Sequence, residues 1–360
     1  MTIVNVYDMS FNLIGVIDSF VSIIWRPAYY EVGDFEIYVG ANPDNIQLLR
    51  ENRIVVRNTD ITVDLDGNVT YKNPMIIKNI DLITDIENGD FLSITGRELK
   101  YLLHQRIIWS QTNLTGTAEN AIRRLVNENA VNPSDTKRKI PNLVLGAAAG
   151  LTESIEKQIT GDSLDKAITE ICTNYNYGWE IYGYNSSYVF IVYKGLDKSY
   201  GQTERPYVVF SDSFENLYNT EYQLNTENYA NAALIGGEGE GVERTYTTVN
   251  NSVTGLERYE LFVDAKDLSS NKDSEDEIPQ SQYLQMLRER GAEKLAESAI
   301  TEGFSGEILS TGQYKYGEDF EIGDTVTVIN SYGISKNVMV LSSIESEDEQ
   351  GVSLIPQFNI

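Results

Sequence analysis

Gly33-Asp34-Phe35-Glu36-Ile37-Tyr38-Val39 is a turn followed by a strict alternation of apolar and polar-faced side chains. That period of two is what a half-buried β-strand demands, because successive side chains point to opposite sheet faces. Working outward, Ile3–Tyr7, Leu13–Ile17 and Phe20–Trp25 are short β-branched and aromatic runs separated by polar turns such as Asp8-Met9-Ser10. Arg53–Arg57, Met75–Ile83 and Phe91–Thr95 continue the pattern, with a short helix opened by Pro43 and Asp44 between them. Strands at this spacing predict an all-β sandwich or barrel over residues 1–97.

The period changes near residue 97. Leu99, Leu102 and Leu103 recur at helical spacing. Thr117 reads as the cap of a helix burying Ala118, Ile122, Leu125 and Val126, and a third helix after Gly161-Asp162-Ser163 buries Leu164, Ala167, Ile168 and Ile171. Trp179–Tyr184 and Tyr188–Lys194 form a hairpin around Asn185-Ser186. Residues 98–208 therefore make an α+β unit. Strand runs resume at Tyr207–Phe210, Leu217–Leu224, Asn231–Ile235, Arg244–Val249 and Tyr259–Val263. They return at Phe304–Leu309, Thr325–Ile329, Val338–Ile344 and Val352–Phe358. This second β-rich domain, 209–268 and 301–360, is interrupted at 269–300 by the acidic loop Ser269–Glu277 and a helix from Pro279 to about Ala299. Leu284, Leu287, Gly291, Leu295 and Ala299 lie near one face of that helix. The fold class is α+β, mostly β.

Composition removes several functions. The 360 residues hold 28 Lys and Arg against 54 Asp and Glu, a net charge of −26, so no basic surplus exists to displace counterions from nucleic acid. Cys172 has no partner for a disulfide, and with His104 it is all the sequence offers toward a structural zinc site. No apolar run approaches the roughly 20 residues of a membrane helix, and Met1–Asn5 lacks a signal-peptide pattern.

The sharper candidates read as structural. Gly236-Gly237-Glu238-Gly239-Glu240-Gly241 has glutamates where a phosphate loop wants amides and a lysine, so it is expected to be a loop or hairpin tip. His104 is the one histidine available to a Ser-His-Asp arrangement, and its place after Leu102-Leu103 suits an ordinary structural or surface residue. Cys172 beside Ile171 is expected to be buried and inert. Asp64-Leu65-Asp66-Gly67 lacks the later ligands of a calcium loop and reads as a turn. No catalytic, cofactor or metal residue is assigned. Twenty-three tyrosines cluster at Tyr29-Tyr30, Tyr175–Tyr184 and Tyr218–Tyr229, which suits packing, protein interfaces or stacking on sugars.

Several blocks together resemble one family. They are Val6-Tyr7-Asp8, Phe11–Asp18, Ser22–Trp25 and Tyr29–Tyr38, then Gly96-Arg97-Glu98-Leu99, Arg106-Ile107-Ile108, Tyr193-Lys194-Gly195 and Gly236–Glu240. Phe262–Ala265 and Tyr316–Asp324 complete the series in one order along almost the whole chain. This is similar to the siphophage gp-thirty-seven-like tail protein family, itself similar to the tail hub (baseplate hub) proteins of long-tailed phages and contractile injection machines. The resemblance implies two related hub-type, tube-like β-barrel domains per chain and a homotrimer, whose six barrels match a six-fold tube while the tip below is three-fold. It implies a structural, non-enzymatic protein of the virion tail tip, assembled in the host cytoplasm. Its implied partners are the distal tail protein ring, the tail tube and tip or fibre proteins. Genome DNA would pass through without being bound, and three copies would line that passage with −78 formal charges. A receptor- or glycan-binding tail protein is the alternative. A cell-wall hydrolase is more remote, since no carboxylate pair stands out and the sequence stops at Ile360, soon after the second β region.

Overall fold

The computed structural model describes residues 2–87, 89–271, 277–308 and 313–359. Most of the acidic loop at Ser269–Glu277, Leu309 at the end of an expected strand, and Ile360 lie outside the described residues.

The strand Asp34–Gly40 places Phe35, Ile37 and Val39 in the core and alternates as its sequence requires. It lies antiparallel between Ser22–Arg26 and Phe91–Glu98, with Trp25 opposite Phe35 and Ile37 opposite Ile94. Trp25 and Phe35 rings sit 5.1 Å apart. Met75–Ile83, Ile54–Arg57, Val4–Tyr7 and Leu13–Ile17 extend this ladder to one edge. One face closes on a core that includes Val6, Ile23, Val55 and Leu92.

The C-terminal strands build a second core on the same sheet. Ser335–Asp348 pairs with Thr325–Ile329 and Gly351–Asn359, and its far end, Glu345 to Asp348, pairs with Trp25 to Ser22. Thr301–Glu307 and Tyr218–Asn225 carry the sheet to its other edge. Phe210, Phe304, Phe320, Val326 and Val340 fill the core beneath. Thirteen strands thus join both ends of the chain in one hydrogen-bonded, predominantly antiparallel sheet. Among the described residues its two edges do not pair with each other, so barrel-like strand content appears without a closing ladder.

The middle of the chain is α+β. Thr117 accepts the Asn120 N–H and caps Ala118–Val126, and Leu164–Tyr175 buries Leu164, Ala167, Ile168 and Ile171. The hairpin Gly178–Tyr184 and Ser187–Tyr193 turns at Asn185, whose φ of 50° is the left-handed value such a turn needs. This sheet also takes in Ile61–Val63 and Val69–Tyr71 from the first hundred residues, and Leu143–Leu145. The late helix Gln280–Glu297 covers the three strands Ala232–Gly236, Tyr246–Val249 and Glu260–Asp264. Gly291 is required at that crossing, because a Cβ there would fall 2.6 Å from Ile235. Tyr283 and Met286 join Leu287 and Leu295 on the buried face, whereas Ala299 lies exposed beyond the helix end.

Candidate functional site

The first β segment, the middle α+β unit and the C-terminal strands meet at Tyr29-Tyr30. Tyr29 is fully buried. Its hydroxyl donates to the Asn176 carbonyl and accepts the Gly195 N–H, both at 3.1 Å, while its own N–H donates to Leu341 O at 2.7 Å. Glycines make room for the ring: a Cβ at Gly178 or Gly323 would come within 2.2 or 2.3 Å of Tyr29 Cε2. Burial raises the Tyr29 phenol to about 12. The Tyr30 carbonyl accepts Trp179 Nε1–H at 2.6 Å and Thr169 Oγ1–H at 3.0 Å.

Charged side chains brace the same junction. Lys100 is buried, and its ammonium has three acceptors for three N–H groups: Ala28 O, Glu31 O at 3.0 Å and Glu98 Oε2 at 3.3 Å. It also lies 5.3 Å from the Trp179 ring centre. Glu98 in turn accepts the Gly33 N–H at 2.7 Å. Beside this pair a cavity of about 320 Å³ is lined by Lys72, Glu98, Lys100, Glu180, Tyr193, Tyr316 and Glu321, among others. Glu180 is half-buried and faces that cavity. Burial raises its carboxyl to about 7, with Lys100 opposing and Glu98 reinforcing the shift. A neighbouring cleft of about 600 Å³ shares Lys72, Tyr316 and Glu321 and ends at Arg57, Asp60 and Glu345. Although burial opposes its charge, Arg57 is held above its ordinary range by Asp60 at 2.7 Å and Glu345 at 2.9 Å. The chemistry here is cross-linking of segments: Arg57 and Lys100 already have their acceptors.

The residues singled out from sequence fall elsewhere. His104 Nδ1 contacts Asp165 Oδ2 at 2.9 Å, and Ser163 Oγ donates to the other oxygen of Asp165. The three triad residue types are brought together, but the aspartate sits in the middle. A nucleophile needs the imidazole as its base, so this order does not activate Ser163. Cys172 is fully buried, and desolvation pushes its thiol up. Asp64 accepts the Asp66 and Asn68 N–H groups at 2.9 Å and Asn68 Nδ2–H at 3.0 Å, with Gly67 at φ 83°, which closes a turn. Gly236–Gly241 links the strands Ala232–Gly236 and Tyr246–Val249, and Glu238 N–H donates to Tyr283 Oη at 2.8 Å. No group of three or more His, Cys, Asp or Glu positioned for a metal occurs among the described residues. Among the described residues no helix is long and apolar enough to cross a membrane. Of the tyrosine clusters, Tyr29 and Tyr177 are buried, while Tyr218 and Tyr184 keep over a third of their surface.

Glu98, Lys100, Glu180 and Arg57 were not legible as a site in sequence, although Glu98 stands in one of the family-like blocks. No match is found among curated protein sequences. Among solved structures, the fold is similar to a tail protein of Neisseria meningitidis MC58, with TM-score 0.61 and 17% identity over 100% of this chain and 96% of that one. It is equally similar to the 43 kDa tail protein of prophage MuSo2 from Shewanella oneidensis, with TM-score 0.61 and 10% identity over 99% and 97% of the two chains. Prophage tail protein gp18 from Listeria monocytogenes EGD-e gives TM-score 0.51 and 12% identity over 99% and 94%. These likenesses span both β-rich ends and the α+β middle, and the sequence itself matches one family from residue 3 to residue 358. The chain belongs to the family of Siphovirus ReqiPepy6 Gp37-like proteins.

Proposed function

We propose that this protein is a structural, non-enzymatic tail-tip hub. It joins the tail tube and distal ring to the tip, adapts six-fold to three-fold symmetry as a homotrimer, and lines the channel for DNA. The observation that carries this reading is the single sheet uniting residues from both ends of the chain across Ser22–Arg26 and Glu345–Asp348, each half over its own core. Two β bodies held rigidly side by side are what a subunit needs to present two adjacent docking surfaces to a ring. Family membership supports a tail role, and the division at 97, 208 and 268, with 269–300 inserted, is proposed with it. The excess of 26 negative charges per chain suits a passage to which DNA does not adhere.

Light-scattering mass after size exclusion tests the assembly, with three times 40.5 kDa expected. A monomer at every concentration, with or without purified ring protein, would end the hub reading. The receptor-binding alternative keeps one observation in its favour, exposed Tyr246, Tyr259 and Phe262 on or beside the late three-stranded sheet. Host-cell pull-down tests it, and cell-wall zymography tests the hydrolase.

A further inference from the structure

Cations are outnumbered almost two to one in this chain, so two arginines that meet each other rather than a carboxylate stand out. They lie on the surface of the middle unit. Arg106 Nε–H donates to the Arg138 carbonyl at 2.5 Å, and Arg138 donates to the Ile107 carbonyl and to Asn129 Oδ1 at 3.2 Å. These acceptors are neutral, and neither guanidinium has an ion pair among the described residues. Lys137 and Lys139 flank Arg138, are exposed, and are likewise unpaired. Three acids lie close by: Asp135 caps the Lys137 N–H at 3.0 Å, Asp165 holds His104 and Ser163, and exposed Asp162 accepts the Ile108 N–H through its carbonyl, so the four cations outnumber them by one. Burial and the neighbouring Arg138 charge lower Arg106 from its ordinary range, so the chain bears a like-charge cost here. The Arg138 guanidinium also lies 4.4 Å above the ring centre of Trp109, which is 60% exposed. Stacking fixes the plane of the fork, and a fixed fork is preorganised for carboxylates.

We propose that the surface around Arg106, Trp109 and Arg138, with Lys137 and Lys139 adding positive charge on either side of Arg138 in the chain, docks an acidic peptide segment of a partner protein. Charge complementarity selects an anion. The small extent of the patch selects a short one, because an extended polyelectrolyte such as DNA would run off it onto a chain of net charge −26. This goes beyond the hub reading and stands without it.

Trp25 and Trp179 are fully buried, so Trp109 fluorescence reports on this face, its signal being identified by its loss in Trp109→Phe. Titration with hexaglutamate at low salt is expected to change that emission saturably, and moderate salt to suppress the change. Lys137→Gln with Lys139→Gln touches no side-chain hydrogen bond of the described residues, so the fold and Tm are retained, and binding should weaken about tenfold. Absence of a saturable change with millimolar hexaglutamate would overturn the proposal. So would unchanged affinity in the double variant, or equal or tighter binding of oligo-dT, which would mark a general polyanion surface instead.

Discussion

Arg57 and Glu345, 288 positions apart in sequence, share a 2.9 Å ion pair and a 3.0 Å hydrogen bond on the line where the two halves of the large sheet join. The Arg57 side chain is nearly buried, stands 5.4 Å from the Trp25 ring centre, and divides its donors between Glu345 and Asp60. Removing Glu345 leaves a buried guanidinium only half satisfied. Glu345→Ala is expected to cost about 1.5–3 kcal/mol, read as a lower urea midpoint with an unchanged slope. A midpoint equal to wild type would show that water replaces the carboxylate without loss.

Tyr29 ties three segments through one side chain, so graded substitutions separate its hydrogen bonds from its volume. Tyr29→Phe keeps the ring in its glycine-lined socket and should cost about 0.5–1.5 kcal/mol, because the part-buried Gly195 N–H and Asn176 carbonyl lose their partner. Tyr29→Ala should cost about 3–5 kcal/mol by adding a cavity. Gly323→Ala is destabilising twice over, through its φ of 94° and its clash with the ring. Thermal melts of the three variants check the order. A Phe variant as unstable as the Ala variant would mean that the hydroxyl, not packing, holds the junction.

The late helix is locked to the middle unit by Lys157. Its ammonium pairs with Glu293 and, at 3.1 Å, with Glu170, and the side chain is only 8% exposed. Burial raises the Glu293 carboxyl, with Lys157 opposing. Lys157→Met leaves that carboxylate only the longer Arg290 contact at 3.7 Å and should cost about 3 kcal/mol, the low end for breaking a buried pair, whereas Lys157→Met with Glu293→Leu should recover most of the loss. A double-mutant cycle by denaturant unfolding measures the coupling, and additive losses would refute it.

These contacts mark where sequence reasoning stopped. The alternation at Asp34–Gly40 and the Thr117 cap are local signals, set by neighbours one to four residues away, and both appear in the structure where the sequence puts them. The strand Ser154–Ile159 was missed because Lys157 reads as a solvent-facing residue; its partner lies on a helix 136 positions later. Ile61–Val63 and Val69–Tyr71 are three residues each, too short for a period to show. Arg57 and Lys100 are ordinary charges in sequence, and choosing their partners among 54 carboxylates needs the fold. The histidine, cysteine and glycine-rich stretch drew attention by rarity, yet the structure spends them on packing and turns.

Glu180 supplies the last expected outcome, a pH dependence of stability. Its carboxyl, at about 7 in the folded protein, lies near 4.5 in an exposed chain. Between those values the folded state holds a proton that the unfolded state has lost, so stability falls as pH rises through that window. Above pH 7 the half-buried charge comes to dominate, facing Glu98 and Glu321, with Lys72 and Lys100 only partly compensating. Glu98 is also raised by burial, so the informative quantity is the difference between wild type and Glu180→Gln. The variant should match wild type below pH 4.5 and exceed it by roughly 2 kcal/mol at pH 8, an order-of-magnitude figure. Denaturant midpoints at half-unit steps from pH 4 to 8 measure it. Parallel curves would mean that Glu180 ionises freely and that the cavity is wet enough to solvate it. A gap widening with pH would make Glu180 a source of pH sensitivity near neutrality at this junction.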